Sequence, residues 1–151
     1  TNQFYHPLGS ASGAFSRAGR VAIGLDTSVV VRLLVGVPEA QARAARRRLE
    51  HAIEGGESVL VCDLVVAEAY YALQFHYDVP KAEARKMLMR FVRSGVVTLE
   101  PREAEDVLGA TSGAGLVDRL IHARHRALGA VTLTFERKLG ALEGAVRLRS
   151  S

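Results

Sequence analysis

A chain of 151 residues is the size of one domain, and with 48% hydrophobic and 24% charged residues it can bury a core and still dissolve. No apolar run reaches the roughly 18 residues that span a bilayer, and the N-terminal sequence lacks the basic stretch and apolar core of a secretion signal, so the expected compartment is the cytoplasm. Its one cysteine, Cys62, excludes an internal disulfide, and a formal net charge of +4, carried mostly by arginine, permits a polyanionic partner without requiring one.

Residues 1–20 lack periodicity and are rich in Gly, Ser and Ala; they read as a flexible or vector-derived tail, leaving 21–151 as a single domain. From there short apolar strands and helices alternate. A strand over 21–25 ends at Asp26-Thr27-Ser28, and a short helix over 29–35 is closed by Gly36 and Pro38. The Ala- and Arg-rich run 38–53 predicts a helix that opens on proline and stops at Gly55-Gly56. A second strand covers 58–61, and Asp63 is placed to cap a helix over 64–75. A helix from Pro80 to Gly95, a third strand over 96–99 and a helix from Pro101 to about Ala110 follow. The Gly-rich loop 111–115 leads to a helix over 116–128, a fourth strand over 130–133, and a fifth over 145–148. This alternation implies right-handed crossovers and a parallel sheet covered on both faces. The predicted fold class is α/β, a three-layer α/β/α sandwich around a central parallel sheet of four or five strands.

Open parallel sheets bind ligands beyond the carboxyl ends of their strands, and four carboxylates map to that edge. Asp26 follows the first strand, Glu68 lies in the first turns after the second, Asp118 opens the helix after the Gly-rich loop, and Glu136 follows the fourth strand. Each has an ordinary explanation. Asp26 can cap a helix, Glu68 can be solvated, Asp118 suits the positive end of a helix, and Glu136 can be a surface turn residue. Their coincidence is what points to chemistry. Clustered carboxylates repel unless a hard cation takes their oxygens. With one cysteine and no tight His/Cys cluster, the expected ion is Mg²⁺ or Mn²⁺, a pair of which, about 3.5–4 Å apart, can activate a water and steady the leaving oxygen of a phosphodiester.

The order of these motifs resembles the PIN-domain family. Leu25-Asp26-Thr27-Ser28-Val29 is similar to the family's opening motif, Val66-Ala67-Glu68-Ala69-Tyr70 to its second, Leu116-Val117-Asp118-Arg119 to its third and Leu133-Thr134-Phe135-Glu136 to its fourth. The resemblance runs from about Val21 to Leu148 and is strongest to the VapC-like ribonuclease toxins of type II toxin–antitoxin systems. It implies a metal-dependent endoribonuclease in which Asp26, Glu68 and Asp118 are core metal ligands and Glu136 an outer one. Thr27, Ser28 and Thr134 would support the metal or substrate by hydrogen bonds. The sequence departs from the family at Glu136, where Asp is more usual, and at Arg119, where small residues are common. The implied partners are an RNA substrate, a small VapB-like antitoxin and a second copy of the chain.

Other signals carry less. His122 and His125 follow Asp118 on one helical stripe and read as structural rather than as a ligand or proton shuttle. Arg43, Arg46, Arg47 and Arg48 read as a solvated helix face, while Tyr70, Tyr71, Phe75 and Tyr77 suit core packing or a dimer interface. Two other functions fit part of the pattern: a catalytically silent PIN-like domain that binds RNA or a protein partner, and a phosphoryl-transfer domain using Asp26 as acceptor. The second wants an additional Asp two residues on, where Ser28 stands.

Overall fold

The computed structural model describes residues 21–150; the tail expected over 1–20 lies outside the described residues. Strand β1 (Ala22–Gly24) runs into helix α1 (Thr27–Val35). Asp26 is the N-cap, its Oδ1 accepting the Val29 N–H at 3.1 Å, which satisfies one of the donors a helix start leaves unpaired. The helix stops at Gly36, where a φ of 82° turns the chain and the Gly36 N–H reaches the Arg32 carbonyl at 2.9 Å. Helix α2 (Glu39–Glu54) follows, then strand β2 (Ser58–Cys62) and helix α3 (Asp63–His76). Helix α4 (Lys81–Arg93) buries Ala84, Leu88 and Val92, one stripe at helical spacing. Strand β3 (Thr98–Glu100), helices α5 (Ala104–Gly109) and α6 (Leu116–Ala127), strand β4 (Thr132–Thr134), the single turn α7 (Arg137–Gly140) and strand β5 (Ala145–Arg147) complete the order.

All strand pairs are parallel, as the alternation predicts. Strand β2 lies in the middle of β1-β2-β3, with Ile23 opposite Val59 and Val61 opposite Leu99. The strands nevertheless divide: β4 and β5 form a separate two-stranded sheet, in place of the single sheet of four or five. Alternation dictates the parallel sense of each crossover but not which free edges meet. Strands of three residues each offer few backbone pairs, and β4 and β5 spend theirs on one another.

The core gathers on the first sheet. Val59 and Val61 from β2 pack with Val30, Leu73, Leu88 and Leu116 from the helices, all buried. Helix α3 starts at Asp63 itself, one residue earlier than expected, with Cys62 in the N-cap position making no side-chain cap bond and Asp63 Oδ1 accepting the Leu64 N–H at 2.9 Å. Its buried carboxylate takes the Arg124 guanidinium in a two-pronged pair, Nε to Oδ2 at 2.9 Å and Nη2 to Oδ1, joining α3 to α6.

Candidate metal centre

The turn after β1 and the face of α3 meet in an open cleft of about 840 Å³ that contains Asp26, Thr27, Ser28 and Glu68. Asp26 reaches it because only Leu25 and Asp26 separate β1 from α1, so the capping side chain stands at the sheet's carboxyl edge. Its Oδ1 accepts two hydrogen bonds, from the Ser28 hydroxyl at 2.7 Å and from the Val29 N–H. The Ser28 hydroxyl first, and the Val29 N–H next, hold the Asp26 carboxyl below its ordinary pKa. Glu68 enters from α3, and its Oε2 accepts the Thr27 hydroxyl at 3.0 Å. Thr27 and Ser28 thus orient one carboxylate each.

Arg32 and Tyr77 share this cleft, and the sequence reading did not single them out as site residues. Arg32 donates Nε to Gln41 Oε1 at 2.7 Å and Nη1 to the Tyr77 hydroxyl at 2.8 Å. One sequence signal was available: Arg32 follows Ser28 by four residues, which puts the two on one stripe of α1. Exposed His76 also borders the cleft.

Asp118 and Glu136 stand apart from that pair. Asp118, in the first turn of α6, lines a different cleft beside Tyr71, Gln74 and Gly115. Arg119 ties the preceding loop in place, donating to the Ala114 and Ser112 carbonyls at 3.0 and 2.6 Å, which accounts for its departure from the small residue expected there. Glu136 caps α7 and is exposed; its N–H donates to Thr134 Oγ1 at 3.0 Å, so Thr134 organises the turn that carries Glu136. Among the described residues, no three His, Cys, Asp or Glu side chains come close enough to hold one metal ion. The two histidines of α6 are structural. Thr132 Oγ1 lies 2.8 Å from His122 Nδ1 and 2.9 Å from His125 Nδ1, and His122 Nε2 lies 2.9 Å from the Glu143 carbonyl. One proton arrangement satisfies all three contacts: His122 Nε2–H to Glu143, the Thr132 hydroxyl to His122, and His125 Nδ1–H to Thr132.

The donors gathered at Asp26 and Glu68 are two carboxylates and two hydroxyls. That is a hard-oxygen set, suited to Mg²⁺ or Mn²⁺, which fill most of their coordination with water and substrate phosphate, and unsuited to Zn²⁺. The residues therefore fit such an ion, with Asp26 and Glu68 as the side chains that would hold it.

The PIN domain family matches residues 23–144 of the chain. No curated protein and no solved structure matches it.

Proposed function

The chain belongs to the PIN-domain family, and from that premise we propose that it is a Mg²⁺- or Mn²⁺-dependent endoribonuclease acting as the toxin of a toxin–antitoxin pair. PIN domains are commonly nucleases. The observation that carries the reading to this chain is the Asp26–Glu68 cleft, in which Ser28 and Thr27 fix the two carboxylates and about 840 Å³ stays open to a substrate. The ion would supply Lewis-acid activation of water and charge neutralisation at the scissile phosphate. Asp26 and Glu68 orient that chemistry, and the hydrogen bonds from Ser28 and Val29 favour the anionic form of Asp26. Arg32, held by Gln41 and Tyr77, offers a positive charge to the RNA backbone at the cleft wall. Asp118 and Glu136 join the proposed ligand set on motif order alone.

The test is RNA cleavage by the purified protein with Mn²⁺ or Mg²⁺, with and without chelator. Asp26→Asn and Glu68→Gln are each expected to lower cleavage by about a hundredfold or more while the fold persists. Wild-type cleavage by either variant would overturn the metal-site reading. Asp118→Asn asks whether the third acid acts in the reaction despite its separate cleft.

That separation favours a second reading, a catalytically silent domain that binds RNA or a protein. Calorimetric titration with Mn²⁺ distinguishes them, because the silent domain has no need of the ion. The antitoxin partner, the cytoplasmic location and the homodimer belong to the first reading. Leu64, Tyr71 and Phe75, exposed along α3 with Tyr71 and Phe75 stacked at 6.0 Å, supply apolar surface for a second copy. No described helix is long and apolar enough to cross a membrane.

A further inference from the structure

Away from the Asp26 cleft, helices α3, α4 and α5 enclose a cavity of about 370 Å³ lined by Tyr70, Lys81, Arg85, Lys86, Met89 and Leu108, among others. Its polar wall is rich in donors. Arg85 is anchored there by the Leu108 and Val107 carbonyls at 3.0 and 2.9 Å. Among the described residues, no carboxylate pairs with Arg85, Lys81 or Lys86. Lys81 and Ala82 are also the first residues of α4, a 13-residue helix whose N-terminus has no side-chain cap. The N–H groups of that first turn lack intrahelical partners, and the helix dipole adds to their positive potential.

Tyr70 supplies an independent observation. The residue is 4% exposed, and its hydroxyl has no hydrogen-bond partner among the described residues. Nearby Gln74 donates its amide to the Tyr70 backbone carbonyl, at 3.0 Å. A buried hydroxyl left unpaired is costly unless something completes it. Burial pushes the Tyr70 phenol above its ordinary pKa, against the pull of Arg85 and of the nearby Gln74 side chain, which lies outside good hydrogen-bond geometry to the hydroxyl. Burial is also the main influence lowering the Arg85 pKa, and the Arg119 charge adds to it against the pull of Tyr70. An anion in the cavity would offset both lowering effects.

We propose that this cavity binds a phosphomonoester on an apolar body, with the phosphate at Lys81, Arg85, Lys86 and the first turn of α4, the Tyr70 hydroxyl as a further donor, and the organic part against Met89 and Leu108. A doubly charged group with three terminal oxygens matches several converging donors better than a carboxylate does. Asp118 borders the adjoining cleft together with Lys81 and Tyr70, so the anion belongs at the end of the cavity toward Lys86. The site needs no metal and stands whether or not the chain cuts RNA.

Calorimetry in EDTA tests it, with adenosine 5′-monophosphate, adenosine and inorganic phosphate as probes. Two short oligonucleotides, one carrying a 5′-phosphate and one a 5′-hydroxyl, separate a free nucleotide from an RNA end as the source of the same group. Binding that requires the phosphate, in the mononucleotide or the oligonucleotide, supports the site. The Lys81→Gln/Lys86→Gln double variant is expected to weaken it by about tenfold or more, and Tyr70→Phe by a few-fold, with both variants melting as the parent does. The proposal is overturned if no phosphorylated probe binds, if adenosine binds as tightly as its monophosphate and the 5′-hydroxyl strand as tightly as the 5′-phosphate one, or if the double variant binds adenosine 5′-monophosphate like the parent.

Discussion

The two ends of this domain are held together by different physics. Around β2, the first sheet and helices α1, α3 and α4 close on a continuous apolar core in which Val30, Leu73 and Leu88 are 0% exposed. From His122 to β5 the chain leaves Leu128, Val131, Leu133 and Phe135 exposed and relies on polar ties, the His122–Thr132–His125 contacts and the Asp63–Arg124 pair. Apolar burial is non-directional and tolerates small displacements, whereas a hydrogen-bond bridge holds only at one geometry. The proposed metal ligands straddle the boundary: Asp26, Glu68 and Asp118 stand on elements of the apolar half, Asp118 between the core residues Leu116 and Leu120, and Glu136 belongs to the polar one.

The strongest way to break the apolar half is Leu73→Ala. The side chain is fully buried between α3 and the rest of the core, so truncation is expected to cost about 2–5 kcal/mol, read as a lowered midpoint in urea unfolding. The loss should be global, with the Asp26 cleft and the α6–β5 region unfolding in one transition. A local change confined to α3 would show that the core is less continuous than its burial pattern.

Thr132→Val probes the other half with a smaller change. Thr132 is 3% exposed and is the only contact drawn between the two imidazoles among the described residues, so removing its hydroxyl should cost about 1–3 kcal/mol. Hydrogen exchange is expected to rise over residues 130–147 while β2 stays protected, because the lost contacts lie outside the main core. Uniform acceleration across the chain would mean that the two regions open as one unit.

The same division decides how much could be read from the sequence. The apolar half was legible as elements: the strand before Asp26 and the run Leu64-Val65-Val66-Ala67 before Glu68 announce a strand and a helix, of whose residues Val66 is buried and Leu64 is exposed, and Asp26 and Glu68 line one cleft. Farther along the chain, motif order located Asp118 and Glu136 on their elements but could not say where α6 sits against α3. That depends on contacts between residues far apart in the chain, such as Arg124 with Asp63, and on loop ties such as Arg119 with Ser112. The separation of β4 and β5 from the first sheet was illegible for the same reason, since their hydrophobic pattern suits any parallel edge.

The smallest expected effect lies at the cleft and concerns protons. Ser28→Ala removes the largest influence lowering the Asp26 pKa, so in metal-free protein that pKa should move up toward its ordinary value, followed by NMR titration of the carboxyl. The sign for stability follows. A carboxyl with a depressed folded pKa contributes stability that is present above its unfolded pKa and lost as pH falls through the folded one. The variant should therefore be less stable than the parent by a small constant amount above about pH 4, and that gap should close as pH falls further. Because Asp26 is largely in contact with water, solvent keeps this change small. A larger stability loss at neutral pH would show that Ser28 acts through the α1 start as a whole, making the serine a structural part of the apolar half rather than a tuner of one carboxylate.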